Sequence, residues 1–369
     1  MPPIPRSPIK LAILDDYQGI GAPHFSSLAP GFEITTFRDT LLPYNHASTP
    51  AASKTELEAR LKPFTVISSM RERTPFPAAL LEKLPNLKLL VTTGVRNAAI
   101  DLAACKKLGI RVTGARGTGR SDAQATPTGS KGGPDSTTQH SIALILGIAR
   151  NIAFDDAVVK NGAWQTGLAT GLSGKVFGTI GLGRLGMSVA KIMHASFGMR
   201  IVAWSSSLTQ EAADQKAVEA GFAVEVGGEK TFRVVSKEEL FKTADVVSLH
   251  YVLSERSRGM VGSEELALMK ESALFINTSR GPLVVEDALL DVLEKGAIRG
   301  AAIDTFELEP LPSDSRWRTT SWGKDGKSHV LLSPHMGYVE EETMGNWYDE
   351  QVEIVERWLK GEELLNVLV

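Results

Sequence analysis

The chain has 369 residues, a formal net charge of −3 and an apolar fraction of 43%, enough for two domains of ordinary size, each with its own core. Its 40 basic and 43 acidic residues are interspersed, so the basic footprint that nucleic acid requires is missing and none is expected as a partner. The single Cys105 excludes an internal disulfide and a cysteine-built metal site, and no metal is expected. No run is apolar enough to span a bilayer, and the proline-rich lead lacks an apolar signal core, so no membrane partner and a cytoplasmic location are expected.

In the first block, short apolar runs with β-branched residues predict strands at residues 10–14, 32–37, 65–69, 87–92 and 110–112. Helical patterns fall at 54–61, 77–84 and 100–108. Strands alternating with helices mean parallel βα units under crossover connections, so residues 1–113 are expected to form one α/β domain. Residues 114–136 are rich in Gly, Ser, Thr, Pro and Ala without a hydrophobic period, and are read as a flexible hinge loop or an insertion. Residues 138–154 have the apolar density of a buried helix.

The second block opens on Lys175-Val-Phe-Gly-Thr-Ile-Gly-Leu-Gly-Arg-Leu-Gly186. Residues 176–180 read as a buried strand, Gly181, Gly183 and Gly186 follow as G-x-G-x-x-G, and Leu185, Val189 and Ile192 recur at helical spacing before a strand at 200–204. That context turns a weak motif into a dinucleotide fingerprint. Gly181 permits the tight turn, Gly183 lets backbone approach a pyrophosphate, and Gly186 lets helix and strand pack closely. The N–H groups of the first helical turn, at Arg184 and Leu185, supply the anion site. Further strands at 245–250, 273–277, 299–303 and 330–332, with helices around 264–269 and 286–295, make six parallel strands in a doubly wound pattern. Residues 340–360 form a last amphipathic helix.

In an open α/β sheet, ligands sit beyond the carboxyl ends of the strands. Arg280, Glu309 and His335 each follow a separate strand of this block, and Thr278 and Asp304 fall at the same edge beside the expected cofactor. Sites for NAD carry an acid about twenty residues past the fingerprint, on the ribose 2′-OH. Here the second strand ends Trp204-Ser-Ser-Ser-Leu-Thr209, with no acid between His194 and Gln210. The hydroxyls of Ser205 and Ser206 are free to meet a 2′-phosphate, although no arginine follows, so the cofactor is read as NAD or NADP with a lean to NADP. Arg71 and Arg73 in Met70-Arg-Glu-Arg-Thr74 either touch substrate or form a solvated cluster. His250 either lines the cofactor or packs.

These residues resemble the D-isomer-specific 2-hydroxyacid dehydrogenases, a group that includes D-glycerate, D-lactate and phosphoglycerate dehydrogenases and glyoxylate/hydroxypyruvate reductases. The resemblance covers nearly the whole chain and is most specific in the glycine fingerprint, Asn277-Thr-Ser-Arg-Gly-Pro282, Ala302-Ile-Asp-Thr-Phe-Glu-Leu-Glu-Pro310 and Ser333-Pro-His335. It implies that Arg280 binds the substrate carboxylate and keto oxygen, that His335 donates the proton, and that Glu309 orients the histidine. Thr92-Thr-Gly-Val-Arg-Asn-Ala-Ala-Ile-Asp101 resembles the family's substrate loop, implicating the backbone N–H groups of Gly94, Val95 and Arg96. The implied architecture is α/β: a Rossmann doubly wound parallel sheet domain of residues 114–336, plus a smaller flavodoxin-like α/β substrate domain assembled from 1–113 and 337–369, in a homodimer. Residues 114–136 stand where the family has a short hinge, and Gln139-His140 where related sequences show Glu-His.

The chemistry suits those roles. A guanidinium is a permanently charged planar fork for a carboxylate. Hydride arrival leaves an alkoxide that a protonated imidazole neutralises, and a neighbouring carboxylate favours the charged imidazole. The expectation is therefore hydride transfer between NAD(P)H and a small 2-oxo acid or D-2-hydroxy acid. The alternative is a nucleotide-sensing, corepressor-like binding protein with little turnover.

Overall fold

Runs of Ile, Leu and Val too short for helices build two parallel sheets. The computed structural model describes residues 8–29, 31–122 and 133–369. The chain divides into one unit of Met1–Lys131, Leu308–Pro310 and Val339–Val369, and another of Gly132–Glu307 and Leu311–Tyr338.

In the first unit, β1 (Ile9–Ile13), β2 (Phe32–Thr36), β3 (Val66–Ser69), β4 (Leu89–Thr93) and β5 (Arg111–Ala115) are all parallel, in the order β2-β1-β3-β4-β5. This is the flavodoxin-like order. The helix Leu102–Leu108 shows how local sequence sets its bounds. Asp101 caps it by accepting the Ala104 N–H at 2.9 Å, and Gly109, left-handed at φ 70°, turns the chain into β5.

The helix Glu341–Lys360 completes this unit against β4 and β5, burying Met344, Trp347, Tyr348, Val352, Ile354 and Val355. Two carboxylates on its buried side reach the segment after β5. Glu350 accepts the N–H groups of Arg116, Thr118 and Gly119, and Glu353 accepts that of Ser121. These bonds order part of the segment 114–136, expected from its composition to be a flexible hinge loop or an insertion. Gly114 and Ala115 finish β5, residues 116–121 are fastened to the helix, and Asp135 caps a helix that starts at Ser136. Composition misleads here because the order is imposed by carboxylates over 230 positions away. Residues 123–132 of that segment lie outside the described residues.

In the second unit the strands are β6 (Val176–Ile180), β7 (Arg200–Trp204), β8 (Glu225–Val226), β9 (Glu229–Lys230), β10 (Phe232–Val234), β11 (Val246–Leu249), β12 (Leu274–Asn277), β13 (Gly300–Ile303) and β14 (His329–Leu332). Seven form a parallel sheet in the order β10-β7-β6-β11-β12-β13-β14, while β8 and β9 make a separate antiparallel ribbon. The first six follow the Rossmann order, with β6 at the point where strand order reverses. The sequence predicts six strands; the seventh, β10, is three residues with Arg233 at its centre, too short for a periodic signal.

The helix expected over 138–154 is two helices, Ser136–Ala149 and Ile152–Lys160, parted by Asn151 at φ 57°. The first buries Leu144, Ile145 and Ile148 and lies against β12, β13 and β14; the second buries none of its residues. Among the described residues no helix is long and apolar enough to cross a membrane.

Asp15, just past β1, is 2% exposed. Burial pushes its carboxyl up to about 6, against the lowering effect of hydrogen bonds from the Thr40 and Thr74 hydroxyls. The folded state therefore holds this proton more tightly than the unfolded state, whose value is 3.8. Stability from this group grows as pH falls through 6 and is lost above it. A shift of this size is worth about 3 kcal/mol at most. Asp15→Asn, which keeps an acceptor for both threonines, is expected to stabilise the protein by roughly 1–3 kcal/mol at pH 8 and by much less at pH 4.5. Chemical denaturation at the two pH values checks it; an equal effect at both contradicts the assignment.

Candidate active site

Where β6 ends, the chain turns on glycine. Gly181 has φ 95° and donates its N–H to the Trp204 carbonyl at 2.8 Å. A Cβ on Gly181 would lie 2.4 Å from the His250 carbonyl oxygen, and one on Gly186 would lie 2.0 Å from that of Gly181. A Cβ on Gly183 would meet nothing within 4 Å. Two glycines thus serve packing, and the third leaves open space at the start of the helix Arg184–Phe197. Orphan N–H groups gather there, the setting in which a pyrophosphate binds. Arg184 pairs with Asp135, and Leu185 is half-buried in the first turn. His250 lies beneath the turn, with Nε2 2.9 Å from Ser248 Oγ. Burial pushes its imidazole down to about 4, which favours the neutral form.

The end of β7 presents hydroxyls. Ser205 is half-buried and Ser206 exposed, with Ser206 Oγ 2.8 Å from the Tyr251 hydroxyl. The Tyr251 ring stacks on Trp204 at 6.3 Å and 17°. Lys237 Nζ lies 5.7 Å from the centre of the Trp204 ring and is held by Glu265 at 2.6 Å and by the Met260 carbonyl at 2.9 Å. Tyr251 escapes sequence reasoning because its partner at position 206 follows a different strand.

On the other half of the sheet, register places Asn277 beside Ile303 and Ile303 beside Leu332. The residues after β12, β13 and β14 therefore emerge side by side. Arg280 sits on a braced turn. Asn277 donates from Nδ2 to the Arg280 carbonyl and accepts the Ser279 N–H, both at 3.0 Å, and Ser279 Oγ donates to the Leu249 carbonyl at 2.8 Å. A Cβ on the next residue, Gly281, would fall 2.0 Å from the Phe306 carbonyl, so two backbones touch there. Thr278 Oγ1 lies 2.9 Å from Ser141 Oγ.

After β13 and β14, Asp304 and His335 share one turn. His335 has φ 55° and donates its N–H to the Asp304 carbonyl at 2.8 Å, while its ring meets Tyr338 edge-on at 5.7 Å. The Asp304 carboxylate accepts from His140, Met336 and Gly337. Those bonds give Asp304 a task in the turn that sequence reasoning does not contain. Trp317 packs on Phe306 at 6.1 Å in this unit's core, and its carbonyl accepts from Trp322 Nε1.

The remaining expected site residues belong to the first unit. Glu309 lies in Leu308–Pro310 and precedes a cis proline. Gly94, at φ 80°, donates its N–H to the Ala115 carbonyl at 2.7 Å. The expected carboxylate donor thus takes part in a bridge to β5 within this unit. Val95 and Arg96 are exposed, and their N–H groups carry no hydrogen bond among the described residues. Arg71, at φ 50°, is so close that a Cβ on Gly94 would lie 2.2 Å from its Nη1. Arg73 instead lies over the Tyr17 ring at 5.4 Å.

Residues 142–337 match the family model for the D-isomer specific 2-hydroxyacid dehydrogenase, NAD binding domain. A glyoxylate reductase of Thermococcus litoralis is 34% identical over 272 residues, 71% of each chain. A D-3-phosphoglycerate dehydrogenase of Methanocaldococcus jannaschii is 33% identical over 318 residues, 86% of this chain and 54% of that one. The crystal structure of a phosphoglycerate oxidoreductase from Vibrio cholerae O395 is similar with a TM-score of 0.76 at 32% identity, covering 96% of this chain and 99% of that one.

The glycine geometry separates two substitutions. Gly186→Ala forces backbone apart and is expected to cost roughly 2–4 kcal/mol of stability. Gly183→Ala meets no atom of the protein, so it should melt within about 2 °C of wild type while weakening dinucleotide binding at least tenfold. Thermal melts with and without NADH, alongside fluorescence titration of the cofactor, test the pair; tight binding by Gly183→Ala would contradict the site.

Proposed function

The chain belongs to the D-isomer-specific 2-hydroxyacid dehydrogenases and is an NAD(P)-dependent oxidoreductase; from that premise we propose how its residues divide the work. The carrying observation is that Arg280 and His335 follow β12 and β14 on the same parallel sheet whose first strand ends in the glycine turn. The nicotinamide cofactor supplies or accepts the hydride. Gly181, Gly183 and Gly186, with the N–H groups of Arg184 and Leu185, hold its pyrophosphate, which the open space above Gly183 favours. Thr278 and Asp304 shape the nicotinamide end.

Arg280 anchors the carboxylate of a small 2-oxo acid and polarises the keto oxygen. As C2 is reduced, negative charge develops on that oxygen and the protonated imidazole of His335 neutralises it; oxidation uses neutral His335 as the base. Glu309 is the carboxylate that favours the charged imidazole. The N–H groups of Val95 and Arg96 supply further donors to the substrate carboxylate.

NADP is the favoured cofactor. Hydroxyls of Ser205 and Ser206, with Tyr251, stand at the end of β7 where a carboxylate would repel a 2′-phosphate. The assembly is a homodimer. The helix Ile152–Lys160 and the stretch after it expose Ile152, Val159, Trp164 and Leu168, the last two at 73% and 87%, an apolar surface that a second copy covers. A cytoplasmic location is in keeping with the free thiol of Cys105.

Glyoxylate, hydroxypyruvate, pyruvate and bulkier 2-oxo acids, each offered with NADH and NADPH, are expected to include at least one that drives saturable cofactor oxidation. Cofactor binding without oxidation for every acid would favour the sensing alternative. His335→Ala is expected to lower kcat by ~10²–10⁴, whereas Arg280→Ala should act mainly on KM. A kcat/KM at least threefold higher with NADH would reverse the cofactor assignment. Light scattering of Trp164→Ser/Leu168→Ser should show monomers in place of dimers.

A further inference from the structure

The Asp304 carboxylate is 1% exposed. It accepts from His140 Nε2 at 3.0 Å and from the N–H groups of Met336 at 2.8 Å and Gly337 at 3.2 Å. Ser333 Oγ stands 3.0 Å from the same imidazole nitrogen. Burial pushes this acid up, but the bonds from His140, Ser333 and Met336 outweigh it and hold the group below the usual carboxylate range. An ionised carboxylate only accepts, so His140 must carry its proton on Nε2.

His335 depends on the same aspartate. A side chain with a Cβ keeps a left-handed backbone only where its surroundings over-determine it. Here the N–H groups of three successive residues, His335, Met336 and Gly337, all end on Asp304. Pairing of β13 with β14 brings residues 304 and 333 alongside each other. His140 comes from elsewhere, on the helix Ser136–Ala149, whose N-terminus is fixed by the Asp135 cap. It closes the turn from a third element.

We propose that His140 is a positioning residue: by donating to Asp304 it fixes the turn that presents the His335 imidazole for proton transfer. This rests on the assignment of His335 as the acid. Without the ring, the carboxylate loses a donor in a site closed to bulk water, and it recovers by taking up a proton or rotating toward solvent. Either response loosens its hold on Met336 and Gly337 and lets the His335 turn move. A shift of about 1 Å at a reacting group costs up to ~10² in rate. The signature is therefore a loss of kcat, with little change in KM.

The test is steady-state reduction of the best 2-oxo acid from the screen by full-length wild type, His140→Ala, His140→Gln and His335→Ala. His140→Ala is expected to lower kcat ~10–100-fold with KM values for acid and cofactor within about threefold. His140→Gln, whose amide N–H reaches the Nε2 position, should return kcat to within about fivefold of wild type. A kcat within about twofold of wild type in His140→Ala, or equal losses in the Ala and Gln variants, overturns the proposal. Full turnover by His335→Ala overturns the acid assignment instead, so the two failures are distinct. Should His140→Ala not fold, Ser333→Ala removes the hydroxyl that stands against the His140 Nε2, and the expectation is a ~3–10-fold fall in kcat at unchanged KM; no fall would again overturn it.

Discussion

Two backbones touching at the glycine turn set the terms for the second unit. With the Gly186 Cα pressed against the Gly181 carbonyl, the helix Arg184–Phe197 is held directly over the end of β6, leaving no gap for a side chain. The same contact fixes where the helix's unpaired N–H groups point. Beneath it, His250 fills space as a neutral imidazole, because a charge in that enclosure would lack compensation. A second backbone contact, Gly281 on Phe306, does the equivalent for Arg280. Both turns are thus anchored by main-chain contact, which is stiffer than side-chain packing.

Between those contacts, polar side chains are tied to their neighbours by hydrogen bonds. Asp304 and Asn277 are buried and Ser279 half-buried, and the side chain of each is hydrogen-bonded to neighbours in the same unit. Such networks are costly when incomplete and rigid when complete. The rigidity is useful to a reaction that moves a hydride and a proton together, since neither transfer tolerates a loosely held partner.

Much of this architecture is legible from sequence, because its signals are local. A strand, three glycines at fixed offsets and a helix identify the dinucleotide turn within about thirty residues. Arg280 and His335 can be placed at the sheet's edge because each follows a recognisable strand. What escapes is whatever depends on distant partners. Residues 116–121 read as formless until Glu350 and Glu353 are brought beside them. His140 is one of six polar residues that open its helix, with nothing to single it out until β13 delivers Asp304 to it. The break at Asn151 is missed for a different reason: the apolar pattern runs on past it, and a single left-handed residue leaves no trace in periodicity.

The first unit's sheet is bounded by segments from both sides of the second. β5 is bonded to Asn366 and Val369 through the N–H groups of Gly114 and Val112, and the helix Glu341–Lys360 covers β4 and β5. Those residues emerge from the ribosome only after positions 132–338, the stretch that holds the whole second unit. The dinucleotide module can consequently collapse while its companion waits with an uncovered apolar sheet. In that interval the nascent polypeptide is open to chaperone capture on one half alone.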